Sequence, residues 1–238
     1  MGCERRHASG SVAALVLAAG AGRRYGGPKA LIPLDGRLLV ERAVTTARDG
    51  GCDPVLAVLG AGAATVRAAA DLTGAVPVDN PDWATGLGSS LRAGLAALGD
   101  STVVAALVLL VDMPGITAEA VHRLADLATP ESLAVAGYQD RRGHPVLLGR
   151  THWAGVADVA VGELGARAYL REHAHQLRVV DCADIADDAD LDTPTDLARF
   201  PGAPRVRPPV QPTEAGGTAG GGRASSSTRR TSTSAYGD

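Results

Sequence analysis

The chain's 238 residues include 23 Lys and Arg, and Lys29 is the lone lysine. It lies in Leu17-Ala18-Ala19-Gly20-Ala-Gly22-Arg23-Arg24-Tyr-Gly26-Gly-Pro-Lys29. An ammonium is a compact charge on a thin stem and reaches into a crowded phosphate site where a guanidinium fork does not. Glycine-rich turns after a strand leave backbone N–H groups free to meet phosphate oxygens. An apolar strand, a glycine turn, two arginines and one lysine therefore read as a nucleoside triphosphate site, against the plainer reading of a structural turn. Gly20, Gly22 and Gly26 also fit a dinucleotide-binding loop loosely. That loop needs an acid for the ribose at the end of the second strand, and Val58-Leu-Gly-Ala-Gly62 has none. Gly-Gly-Pro-Lys29-Ala is not a Walker loop either, which ends Gly-Lys-Ser/Thr.

Acids stand where a divalent cation could be held. Asp112 follows the most apolar run in the chain, Ala105 to Val111, and precedes Met-Pro. Mg²⁺ takes one or two carboxylates and completes its shell with substrate phosphates. In Asp190-Leu-Asp192-Thr-Pro-Thr-Asp196, a helix entry explains Thr193 as cap, Pro194 and Asp196. It explains the earlier acids less well, and Asp192 rather than Asp190 is the expected second metal ligand. In Asn80-Pro-Asp-Trp-Ala-Thr-Gly86-Leu-Gly-Ser89-Ser90-Leu-Arg-Ala-Gly94-Leu95, small residues and two hydroxyls at a helix start could receive a nucleobase edge, or simply cap the helix. His144, in Arg142-Gly-His-Pro, lacks a nearby Cys or Ser nucleophile, which argues against a hydrolase triad. Gly162-Glu163-Leu-Gly165-Ala-Arg167 could cap a helix or hold an anionic acceptor.

The elements that must carry these residues alternate. Strands are expected at Val12 to Leu17, Pro54 to Leu59, Ala75 to Val78, Ala105 to Val111, Leu133 to Ala136, Val146 to Leu148 and Leu177 to Val180. Helices are expected at Leu38 to Arg48, Gly62 to Leu72, Ser89 to Leu98, Thr117 to Leu127, Leu164 to Glu172 and Thr193 to Phe200. Such alternation implies a three-layer α/β/α sandwich around a mostly parallel sheet, with ligands beyond the carboxyl ends of the strands.

Residues 12–200 suffice for one domain. Residues 1–11 read as a flexible lead. Residues 201–238, rich in Pro, Gly, Ser, Thr and Arg, have almost nothing to bury and read as disordered. With a net charge of −3 and most of the tail's charge basic, the domain is acidic, which argues against nucleic-acid binding. Cys3, Cys52 and Cys182 form no CxxC pair and point to a reducing cytosol without a zinc site. No apolar run reaches membrane-spanning length, and the opening Met-Gly-Cys-Glu-Arg-Arg-His has no apolar h-region behind it.

These motifs, in this order, resemble the molybdenum cofactor cytidylyltransferases of the MobA-like nucleotidyltransferases. The carriers are LAAGAGRRYGGPKAL, the Asn80 to Leu95 segment, Val-Asp112-Met-Pro, Arg-Gly-His144-Pro-Val, Gly-Glu-Leu-Gly-Ala-Arg167 and Asp-Leu-Asp192-Thr-Pro. The resemblance implies a Rossmann-like mixed sheet of the nucleotide-diphospho-sugar transferase type. It implies Mg²⁺-dependent transfer of CMP from CTP to the phosphate of molybdopterin with release of pyrophosphate, and a molybdenum hydroxylase as recipient. By position, Leu17, Ala18, Ala19, Gly20, Gly22, Arg24, Lys29, Gly86, Ser89 and Ser90 would bind nucleotide, with Arg24 and Lys29 catalytic. Asp112 and Asp192 would hold Mg²⁺, and His144 and Arg167 would lie toward the acceptor. Ala19, where guanylyltransferase relatives carry glycine, implies CTP over GTP. Glu163 stands where the family more often has Asp. Competing expectations are GTP with molybdopterin, a sugar phosphate or isoprenoid-precursor acceptor, a nicotinamide-dependent oxidoreductase, and a non-catalytic cofactor-delivery protein.

Overall fold

A computed structural model describes residues 10–200. The first nine residues and the segment from Pro201 onward lie outside it, and so do most of the expected lead and the expected tail. Seven strands form one sheet: β1 (Val12–Ala18), β2 (Val55–Leu59), β3 (Val76–Asp79), β4 (Ala105–Leu110), β5 (Leu133–Tyr138), β6 (Arg141–Gly149) and β7 (Arg178–Asp181). Their order is β3-β2-β1-β4-β6-β5-β7. All neighbours run parallel except β6, which is antiparallel to both β4 and β5. Helices α1 (Leu39–Asp49), α2 (Ala63–Ala69), α3 (Leu87–Ala97), α4 (Ala118–Ala125), α5 (Trp153–Val159) and α6 (Arg167–Glu172) cover the two faces. The expected mostly parallel, mixed α/β architecture is the observed one.

The central strand shows why the sheet is covered twice. Every residue of β1 is buried. Its side chains alternate between faces. Ala14, Val16 and Ala18 join a core with α1 and α4 residues such as Val44 and Val121. Ala13, Leu15 and Leu17 join the opposite core with Leu91 and Leu95 of α3 and Val156 of α5. With few aromatics available, close approach replaces bulk: a Cβ on Gly94 of α3 would lie 3.1 Å from the Leu15 methyls and 3.2 Å from Val58. This brings α3, and the polar residues at its start, down onto the sheet beside the end of β1.

Three expectations need correction, and one helix was not expected. The helix expected from Leu164 begins only at Arg167, because Gly165 takes a left-handed φ of +51° and breaks it. The strand expected at Val146 extends back to Arg141, since the polar Arg141 to Gly143 stretch pairs with β5 although it lacks an apolar pattern. Helix α5 carries no expectation; its anchor is Trp153, whose indole N–H donates to the Leu148 carbonyl at 2.9 Å. The last helix is only a 3₁₀ turn, Asp196–Arg199. Thr193 does not cap it. Instead Asp196 collects the N–H groups of Asp192 (3.2 Å) and Thr193 (2.8 Å) and the Thr193 hydroxyl (2.9 Å). By contrast Thr117 caps α4 as expected, accepting from the Ala120 N–H at 3.2 Å. Among the described residues no helix is long and apolar enough to cross a membrane.

Candidate active site

β1 and β4 lie side by side and end in register, Leu17 opposite Leu110. The glycine loop leaves one and Asp112 follows the other, so their adjacency is a property of the sheet. The loop turns on Gly22, which has φ +56° and whose carbonyl accepts the N–H groups of Tyr25, Gly26 and Gly27 at 2.9, 3.0 and 3.2 Å. A side chain at Gly22 would strike the Gly27 carbonyl. The N–H groups of Gly20, Ala21, Gly22, Arg23 and Arg24 donate to no protein acceptor among the described residues. An array of free N–H groups at a strand-to-loop transition is a built receptor for phosphate oxygens.

Across the mouth of the loop the structure assembles three charges. Lys29 Nζ donates to Asp112 Oδ2 at 2.8 Å and to Asp192 Oδ1 at 2.7 Å. Burial alone would lower the Lys29 pKa, but the bonds and negative charges of Asp112 and Asp192 outweigh it, and the net direction is up. Asp192 comes from far along the chain through Leu191, which is fully buried and whose N–H donates to the Asp112 carbonyl at 2.9 Å. That anchor sends its two flanking acids to different places. Asp192 joins Lys29, whereas Asp190 lines a second cleft. Desolvation, then the charges of Asp112 and Asp192, raise the Asp190 pKa above the usual carboxylate range. Arg24 is exposed and stands 3.8 Å from Asp192 Oδ2, a loose pair at the rim. Its neighbour Arg23 lines the cleft.

The first cleft, about 460 Å³, is lined by Leu17, Ala19, Gly20, Gly22, Lys29, Gly86, Ser90 and Asp112 from the expected set. Trp83 and Glu163 also line it. Ala18 does not, because its side chain points into the core under the sheet. Ser89 does not either: its hydroxyl is buried and donates to the Gly86 carbonyl at 2.8 Å. The residue that sequence reading left unassigned is Asn80. It is buried, and its amide nitrogen donates to Ser89 Oγ at 2.8 Å and Ser90 Oγ at 3.0 Å. Its place at the end of β3, opposite the α3 start, was the available signal.

The second cleft, about 500 Å³, gathers Arg141, Arg142, Arg167 and Arg171 with His144 over an apolar floor that includes Val135, Val146 and Leu170. His144 arrives there because β6 bulges: Val146 pairs with Val135 and Gly143 with Ala136, so His144 and Pro145 have no partners across the ladder. A bulge of this kind re-aims side chains. Arg141 is held by Asp188 at 2.8 Å. His144 and Arg167, expected near the acceptor, thus share one cationic cleft, which Asp190 also lines.

Desolvation pushes the His144 pKa down to about 4, with Asp112 partly opposing and Arg167 adding to the shift. The imidazole is therefore neutral at pH 7. Its folded pKa lies below the ordinary unfolded value of about 6.5, so the unfolded chain takes up the proton first as pH falls. Stability is fully present above about 6.5 and declines between there and about 4, by at most about 1.4 kcal/mol per pH unit. His144→Asn flattens that part of the stability curve in urea melts across pH; an unchanged slope would contradict the assignment.

The site has one form for a cation. Among the described residues no three His, Cys, Asp or Glu side chains are grouped as a metal cage. Two carboxylates converge instead on one positive nitrogen, beside a loop built for phosphates. The sequence model of the MobA-like NTP transferase domain matches residues 14–177, which contain the loop, Asp112 and both clefts' principal lining. The chain belongs to the MobA-like NTP transferase family. Family membership supports a nucleotidyltransferase acting on a nucleoside triphosphate and a phosphorylated acceptor. The chain is 41% identical over 197 residues to the nicotine blue oxidoreductase of Paenarthrobacter nicotinovorans, covering 79% of this chain and 96% of that protein. A homologue of Mycobacterium tuberculosis Rv0371c from Mycobacterium sp. strain JC1 superposes with a TM-score of 0.69 at 32% identity, covering 79% of this chain and 93% of that one. Rv0371c from M. tuberculosis H37Rv in complex with manganese superposes with a TM-score of 0.62 at 28% identity, covering 76% and 94%.

Proposed function

We propose that this protein is a Mg²⁺-dependent cytidylyltransferase that moves CMP from CTP to the terminal phosphate of molybdopterin in the cytoplasm, for use by a molybdenum hydroxylase. The observation that carries the reading is the convergence of Asp112 and Asp192 on Lys29 at the mouth of a loop with free N–H groups. Oxygen donors suit a hard cation, and two carboxylates with substrate phosphates make a usual Mg²⁺ set. Asp112 and Asp192 would hold the ion, which would neutralise charge on the phosphates. The manganese complex of Rv0371c, which this chain resembles in fold at 28% identity, supports a divalent cation here.

The chain's own groups account for the rest. The loop N–H groups and Arg23 hold the triphosphate. Lys29, held between Asp112 and Asp192 at the mouth of the loop, would turn its ammonium toward the triphosphate. The arginines of the second cleft hold an anionic acceptor, with neutral His144 among them. An oxygen of the acceptor phosphate bonds to the α-phosphorus, the α–β bridge breaks, and pyrophosphate leaves with the electron pair. No covalent enzyme intermediate is needed, since alignment and charge neutralisation supply the catalysis.

Ala19 lines the nucleotide cleft with Trp83, and both side chains lie against Gly60. The Ala19 methyl narrows the slot against a purine. Ala19→Gly is expected to shift the ratio of kcat/KM for CTP over GTP about tenfold toward GTP, the effect of roughly one steric or hydrogen-bond contact. A wild-type preference for GTP would overturn the choice of nucleotide.

A second reading is favoured by the 41% identity to an oxidoreductase. A nicotinamide dinucleotide would want a ribose acid at the end of β2, which closes on Leu59 and Gly60. Asp79, ending β3, is taken by Arg67 at 2.6 Å. Pyrophosphate release across four triphosphates with and without molybdopterin, run beside NADH and NADPH oxidation, separates the two readings.

A further inference from the structure

Helix α6 is only six residues long, follows the break at Gly165 and has no side-chain cap. A helix this short does not hold itself in water, so packing decides its rotation. Arg167 and Arg171, at i and i+4, share one face and line the second cleft with Leu170. Arg141 in that cleft is held by Asp188, but neither α6 guanidinium is paired with an acid among the described residues. Their aim therefore follows from the helix. Tyr169 lies midway between the two arginines in sequence, so it points from the opposite face, and it is buried.

Neighbours hold the Tyr169 ring. Gly155 of α5 lies against it, and a Cβ there would stand 2.6 Å from ring carbon Cε2. His173 stacks on the ring with centroids 3.9 Å apart, and its Nδ1 donates to the Tyr169 carbonyl at 3.0 Å. The phenol meets Nδ1 of buried His152 at 3.0 Å. His152 Nε2 lies 3.0 Å from the Glu131 carbonyl, which can only accept, so Nε2 carries a proton. In a neutral imidazole Nδ1 is then the acceptor, and Tyr169 donates to it.

We infer that Tyr169, locked by His152 and Gly155, is a positioning residue for the acceptor: it sets the rotation at which Arg167 and Arg171 face the second cleft. This rests on the reading of that cleft as the acceptor site. The nucleotide cleft takes no residue from α6, so loosening Tyr169 weakens acceptor binding and spares nucleotide binding.

The test is calorimetric binding of molybdopterin, and separately of α,β-methylene CTP. The proteins are wild type, Tyr169→Phe, Gly155→Ala, the Arg167→Ala/Arg171→Ala double variant, and that double variant carrying Tyr169→Phe. Tyr169→Phe leaves the His152 acceptor unpaired and is expected to weaken molybdopterin binding about three- to tenfold, the scale of one buried hydrogen bond. Gly155→Ala drives the ring from its seat and weakens binding at least as much. The CTP analogue binds every variant as it binds wild type. On the double-variant background Tyr169→Phe has no further effect, because Tyr169 acts through the arginines. Unchanged molybdopterin affinity in either single variant, parallel losses for both ligands, or a full loss on the double-variant background would overturn the inference alone. Wild-type molybdopterin affinity in Arg167→Ala/Arg171→Ala would overturn the reading of the cleft and this inference with it.

Discussion

Lys29→Arg lowers pyrophosphate release about 10²- to 10³-fold, although charge is conserved. One nitrogen now lies 2.7 Å and 2.8 Å from oxygens of two different carboxylates. A tetrahedral ammonium can serve both and then turn to a phosphate. A planar fork prefers two oxygens of one carboxylate and is bulkier in a cleft where Lys29 is mostly buried. Lys29→Ala is expected to cost at least as much turnover and also to lower Tm, because Asp112 and Asp192 then face each other without a cation. Opposite unit charges 4 Å apart are worth about 4 kcal/mol at an effective dielectric near 20, and part of that attraction is lost. The measurements are single-turnover kinetics and thermal melts. Near-normal turnover in Lys29→Arg would show that the lysine supplies only charge.

Asp112→Asn abolishes Mg²⁺-dependent turnover, with a loss on the order of 10³-fold, while the fold is kept. The amide keeps the shape of the carboxylate but not its charge, and Asp192 alone would hold the cation weakly. The backbone role survives, since it is the Asp112 carbonyl that receives the Leu191 N–H. Activity titrated against Mg²⁺, with circular dichroism as control, reads this directly. A metal dependence identical to wild type would remove Asp112 from the cation site.

The sheet was legible because its signal is redundant. β1 and β4 are apolar at every position, as strands covered on both faces must be, and their alternation with amphipathic helices implies a largely parallel sheet between helices. The glycine loop and Asp112 were legible for the same reason: each follows one of those strands. The Asp196 turn was not, since Thr-Pro-Thr-Asp fits a helix entry locally, and only the pull of Asp196 on the N–H groups of Asp192 and Thr193 decides otherwise. The β6 bulge that presents His144 depends on pairing with β5, which no local pattern encodes. Asn80 escaped because its importance lies in where two hydrogens go, and composition carries no record of that. The lysine stands out in the sequence, but its partners in the structure are the two acids, which lie far from it in sequence and meet it only through the β4 end and the Leu191 anchor.

The central claim is nucleotidyl transfer itself. It is tested most directly by incubating the full chain with α-labelled CTP, Mg²⁺ and molybdopterin, and following pyrophosphate together with the labelled product. The account predicts pyrophosphate and labelled adduct in equal amounts, dependent on both the acceptor and Mg²⁺. Oxidation of a nicotinamide cofactor, with no pyrophosphate from any triphosphate, would contradict it.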